Sequence, residues 1–154
     1  MTKLLKNRRG VVSVEAALLG FLVLVPMLGG VTDVGLILST WAAASRAEQA
    51  GLLYAFGNGA GSSSAIVSAA TTAFGSATPA PTVTASSACY CLPTSSSWSR
   101  NGGSAVSCTS TCASGDTMTE FVTVSVSTTV TLPVPLPGFA ADYPISSSAT
   151  ARLQ

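Results

Sequence analysis

Two sets of residues in this chain carry chemistry: one acidic side chain inside an apolar run, and four cysteines in two close pairs. Glu15 is the fifth residue after Gly10, in Val11-Val12-Ser13-Val14-Glu15, which opens an apolar stretch lasting to Thr32. A charge within a bilayer segment costs roughly 2.5–3.5 kcal/mol on insertion scales, so one retained there marks a function. Cys89-Tyr90-Cys91 and Cys108-Thr109-Ser110-Thr111-Cys112 bracket a segment rich in Ser and Gly. Thiols so spaced either form disulfides or hold a metal.

The compartment decides between those two. Four of the seven basic residues, Lys3, Lys6, Arg8 and Arg9, precede Gly10, and none follows the apolar stretch until Arg46. By the positive-inside rule the N-terminus stays cytoplasmic. From Val11 to Asp33 a helix rises about 33 Å, against a hydrocarbon thickness of about 30 Å. Glu15 then lies near one interface and Asp33 near the other. No second apolar segment returns the chain, so residues 58–154 are expected outside. The run is too long for the apolar core of a cleaved secretory signal and contains both Glu15 and Asp33, which argues against ordinary signal peptidase cleavage at Ala42-Ala43-Ala44. An uncleaved signal anchor is the competing reading.

An even number of cysteines in an oxidising compartment predicts two disulfides, with three possible connectivities. A Cys89–Cys91 bridge closes a very tight ring, so pairing across the loop is preferred. The nested hairpin arrangement, Cys91 with Cys108 and Cys89 with Cys112, is the expectation adopted. A four-cysteine zinc site is the rival, but structural zinc sites space their paired cysteines by two to four residues, and Cys-x-Cys is unusual there. Redox catalysis calls for Cys-x-x-Cys, which is absent. From Asn58 onward the chain has 35 Ser or Thr and few large apolar side chains. A small domain of that composition needs staples, each contributing about 2–4 kcal/mol.

The remaining chemistry is excluded residue by residue. There is no histidine, and both lysines lie in residues 1–10, so no Ser–Lys pair forms in the exported part. Asp116, Glu120 and Asp142 are its only acids, and Asp116 and Glu120, four apart beside a strand, read as solvated charge. Gly57-Asn58-Gly59-Ala60-Gly61 lacks the Gly-Lys-Ser/Thr ending of a phosphate loop and follows a helix rather than a strand. Without residues 1–10, three basic side chains face six acidic ones, which leaves no phosphate-tracking surface for nucleic acid. No enzyme, cofactor, metal or small-molecule substrate is expected.

These residues must be positioned by an α+β fold. Residues 11–57 form one long helix, interrupted by Pro26 in a way membrane helices tolerate, with Trp41 suited to the interfacial belt and the glycine cluster as its stop. Arg46 and Glu48 face different directions. Ile66, Ala69, Ala70, Ala73 and Phe74 share one face of a second, short helix closed by Gly75. Thr82-Val83-Thr84-Ala85 is a candidate strand. Val122, Val124, Val126 and Val130 alternate with Ser and Thr over Phe121 to Thr131, the clearest strand. Leu132-Pro133-Val134-Pro135-Leu136-Pro137 is an extended connector, and Ala149, Ala151 and Leu153 form a closing strand. The expected product is a small antiparallel sheet beside a helix, stapled by disulfides, at residues 58–154.

The whole layout resembles the TadE-like minor pilins, or pseudopilins, of tight-adherence (Flp-type) type IV pili. The matching pieces are Arg9-Gly10-Val11-Val12-Ser13-Val14-Glu15, the Pro26-interrupted helix and the Ala42-Ala43-Ala44-Ser45-Arg46-Ala47 region. The Cys-x-Cys…Cys-x-x-x-Cys loop, the Phe121-Val122-Thr123-Val124 strand and the Ser148-Ala149-Thr150-Ala151-Arg152 segment complete it. Such proteins often carry an aromatic directly after the Glu, where Ala16 stands here. The resemblance implies that residues 1–10 are a cytoplasmic leader which a prepilin peptidase removes between Gly10 and Val11. Gly10 fits because a protease can approach its bare backbone closely. Val11 then carries a positive amine, and Glu15 pairs with it, or with that of a neighbour, because a buried charge left unpaired costs about 3–5 kcal/mol. The implied partners are the membrane, other pilins and pilus-assembly proteins. The implied location is the bacterial inner (cytoplasmic) membrane, single-pass, or the pilus itself. The alternative is an unprocessed, single-pass membrane-anchored binding or adhesin domain.

Overall fold

A computed structural model describes residues 8–76, 79–93, 104–113, 115–134 and 140–153, with side chains from 14 onward. The elements are α1 (Arg8–Asn58), α2 (Ser63–Phe74), β1 (Thr82–Pro93), β2 (Asp116–Thr131) and β3 (Asp142–Leu153). The class is α+β, as expected. The predicted leader falls partly on residues 1–7, outside the described residues.

Local sequence explains each boundary. Between Ala16 and Val31 α1 is apolar on every side, and it runs on through Pro26. It stops where Gly59 takes a positive φ of 76°, its N–H donating to the Ala55 carbonyl at 2.8 Å, a left-handed cap that glycine adopts without a Cβ clash. α2 starts at Ser62, whose hydroxyl accepts from the Ala65 N–H, and ends at Gly75. Of its predicted face, Ile66, Ala70 and Phe74 are buried, while Ala69 is half-buried and Ala73 exposed.

The strands form an antiparallel meander with β2 in the centre. Registers such as Ala85↔Val124 and Val124↔Ala149 align the small residues of the outer strands with the valines of β2. Val122, Val124 and Val126 are buried against the helices. The opposite face carries rows of hydroxyls, among them Ser86, Thr123 and Thr150, with Thr123 and Thr150 bonded at 2.8 Å. Both outer strands are longer than the sequence indicates. β1 runs on from Ala85 through Cys89 and Cys91, because β2 begins at Asp116 and offers backbone partners that far.

The core gathers Ala44, Ala47 and Ala55 of α1, Ile66, Ala70 and Phe74 of α2, the three β2 valines and Leu153. At Gly51, a Cβ would stand 3.3 Å from Ala70 and from Val124, so glycine is what lets helix, helix and sheet meet there. A second cluster joins Val130, Leu132 and Ile145 to Ile37. Lower still, a Cβ on Gly29 would meet the Val134 side chain at 3.0 Å. Gly51 to Gly29 spans about 33 Å of helix, and Val124 to Val134 spans about 33 Å of extended chain. The two rises match, so β2 and its continuation descend alongside α1.

Candidate functional site

The N-terminal site lies on a bare helix. Gly10 and Val11 fall within α1, their side chains outside the described set, and Glu15 is exposed one turn beyond Val11. Positions i and i+4 share one side of a helix, so Glu15 lies one turn beyond position 11 on the same side. Around Glu15, Val14, Leu18, Leu19, Phe21 and Leu22 are all exposed. This is the one helix among the described residues long and apolar enough to cross a membrane. Gly10 weakens the turn it occupies by about 1 kcal/mol relative to alanine.

At the other end of the expected span the domain covers α1. Asp33 is only 5% exposed, and its Oδ1 has no hydrogen-bond partner. It sits where the β2 continuation and β3 approach α1, beside Leu132 and Tyr143. From Gly29 upward one side of α1 is covered by the domain, while Val31, Val34 and Leu38 stay exposed beside it. Below Gly29 the large apolar side chains from Val14 to Leu28 are exposed, over about 21 Å of helix. Sequence reasoning missed this contact. Its signal was the Gly29-Gly30 pair together with the apolar Leu132-Pro133-Val134 segment.

The cysteine loop is stapled, with a different pairing from the nested one. Cys89 bonds Cys108 and Cys91 bonds Cys112, with Cα separations of 5.2 and 5.5 Å. The cause is a reversal inside the second pair. Val106 lies antiparallel to Cys89, its N–H donating to the Cys89 carbonyl at 2.8 Å. A turn then closes with Ser110 N–H on the Ser107 carbonyl at 2.9 Å, and the Ser110 hydroxyl donates to that same carbonyl. Cys108 therefore meets Cys89 before the chain turns back and carries Cys112 to Cys91. A nested pairing requires one uninterrupted hairpin arm.

With all four sulfurs in disulfides, no thiolate remains for zinc. The Glu120 carboxylate lies within 4.8 Å of the Cys89 and Cys108 sulfurs, but those sulfurs bond each other. Asp116 and Glu120 stand four residues apart on β2, roughly 13 Å along the strand, too far to share one reacting group. Asp142 accepts the Thr131 hydroxyl at 2.9 Å. Tyr90 and Phe121 meet edge-on at 5.5 Å on the hydroxyl face.

No family model, curated protein or solved structure matches this chain.

Proposed function

We propose that the chain is a minor pilin, or pseudopilin, which a prepilin peptidase trims between Gly10 and Val11 and which then takes part in starting or building a tight-adherence type IV-like pilus. The observation that carries this reading is the exposed Glu15. It is the single ionisable side chain between Val14 and Thr32, one turn beyond position 11 on a stretch of helix that is otherwise apolar all round. A lone carboxylate on such a surface gains most from an opposite charge brought by the same cut or by a neighbouring helix. The disulfide-stapled domain then works outside the cytoplasmic membrane, by binding rather than catalysis, its partners being other pilins and assembly proteins.

Intact-mass and N-terminal peptide measurement, with and without the peptidase, tests the processing step. A chain beginning at Val11 only when the peptidase is present supports the proposal. A chain that keeps Lys3 to Gly10 in both samples favours the second reading, an unprocessed membrane-anchored binding domain, which the same bare helix also supports. Glu15→Ala is expected to leave membrane insertion intact and to reduce piliation at least about tenfold, the effect of losing one buried charge pair. Normal piliation in that variant sinks the charge-pair role.

A further inference from the structure

We propose that the hollow between the middle of α1 and the lower edge of the sheet is a phospholipid site, with Asp33 receiving a primary-ammonium headgroup. This rests on the membrane-anchored part of the reading above, though not on the pilus. The cavity measures about 1000 Å³ and is lined almost entirely by apolar side chains, among them Leu22, Met27 and Val31 of α1 and Leu132 of the β2 continuation. Asp33 and Tyr143 bring the polar side-chain groups to this lining. Asp33 is 95% buried and its Oδ1 is unpartnered. A carboxylate buried in an apolar lining is costly unless an opposite charge is brought to it.

Depth and charge together select the occupant. Counted from Val11, Asp33 stands about 33 Å up the helix, at headgroup height over a hydrocarbon layer of about 30 Å. Leu22 lies about 17 Å below it, well inside acyl depth. The hollow extends along α1 from Leu22 past Asp33 to Ile37 and Leu38, so the carboxylate stands in its upper part above an apolar trough that opens onto the exposed helix surface. An ethanolamine-type lipid supplies both parts, an ammonium for a charge-assisted bond to the carboxylate and a chain for the trough. Tyr143, half exposed in the same lining, suits the interfacial position of an amphipathic ring. A trimethylammonium lipid carries the same charge but no N–H to donate.

The test uses the full chain in nanodiscs containing phosphatidylglycerol mixed with either phosphatidylethanolamine or phosphatidylcholine, followed by native mass spectrometry. One retained phosphatidylethanolamine per chain is expected, with phosphatidylcholine retained at least about tenfold less. Asp33→Asn should lose that preference, and Met27→Trp, at an exposed lining position, should lose retention by filling the trough. Equal retention of both lipids, or an unchanged preference in Asp33→Asn, overturns the proposal. So does a dimer with no bound lipid, which gives the hollow to a second copy of the chain. Carbonate extraction separates the two levels. A chain released from membranes fails the anchor reading and the lipid site with it, whereas a chain that stays embedded but retains no lipid fails the lipid site alone.

Discussion

Two stretches of α1 handle apolar surface in opposite ways. From Val14 to Leu28 the helix turns bulky Val, Leu, Phe and Met side chains outward on all sides. From Ala44 to Ala55 it turns small residues inward, Ala44, Ala47, Gly51 and Ala55, onto α2 and the β2 valines. Between them, from Gly29 to Leu38, one side is covered and the other remains bare. The difference shows what each environment demands of one helix. A stretch with no packed neighbour accepts bulk at any angle, because nothing there must interdigitate. A sheet at close range requires small residues, because backbone approach is limited by what stands between. The domain therefore gains little bulk from α1 and relies on staples, while the bare stretch needs none.

That contrast can be broken at its strongest point first. Replacing Cys89 and Cys108 together by serine should cost the domain about 2–4 kcal/mol and leave α1 fully membrane-bound. Urea unfolding of the full chain in detergent micelles, followed by carbonate extraction from membranes, reads both halves. Loss of membrane retention in that variant would show that the two stretches are not independent. Next in size is a pair of glycine substitutions. Gly51→Leu should cost about 1–3 kcal/mol by overpacking against Ala70 and Val124. Gly20→Leu, where a Cβ meets nothing within 4 Å, should change domain stability by less than about 0.5 kcal/mol. Equal unfolding midpoints for the two variants would erase the distinction between packed and bare stretches.

The smallest expected effect concerns Glu48, buried on the packed side with an unpartnered Oε1. Glu48→Met removes a desolvated carboxylate and keeps the volume, so it should stabilise the domain by about 1 kcal/mol. A destabilised variant in the same unfolding assay would show that this carboxylate has a partner in the working protein.

Much of the fold is legible because its signals are local. The alternation of Val122, Val124 and Val126 with hydroxyl residues marks β2 and its buried face. The spacing of Ile66, Ala70 and Phe74 marks α2, and Gly59 and Gly75 mark where the helices stop. The exposed Arg46 and buried Glu48 follow from helical geometry once one face is covered. Strand lengths were less legible, since β1 extends as far as β2 can pair with it, and that depends on a partner more than twenty residues away. Of the candidate site, Glu15 was visible as a charge out of place, whereas the burial of Asp33 was not. Its surroundings are supplied by residues from another part of the chain, such as Leu132 and Tyr143.

By itself the sequence determined the apolar cylinder, the lone carboxylate above Val11, the class of the domain and the presence of two bridges. Each of these depends on composition or on periodicity within one element. Only the tertiary structure decided which cysteine meets which and how far down α1 the domain reaches. The first depends on a reversal between Cys108 and Cys112 that carries the second sulfur back along β1. The second depends on the match between helix rise and strand rise that brings Val134 onto Gly29. Both are matters of register between distant segments, and register is set by what packs across the gap rather than by the residues on either side alone.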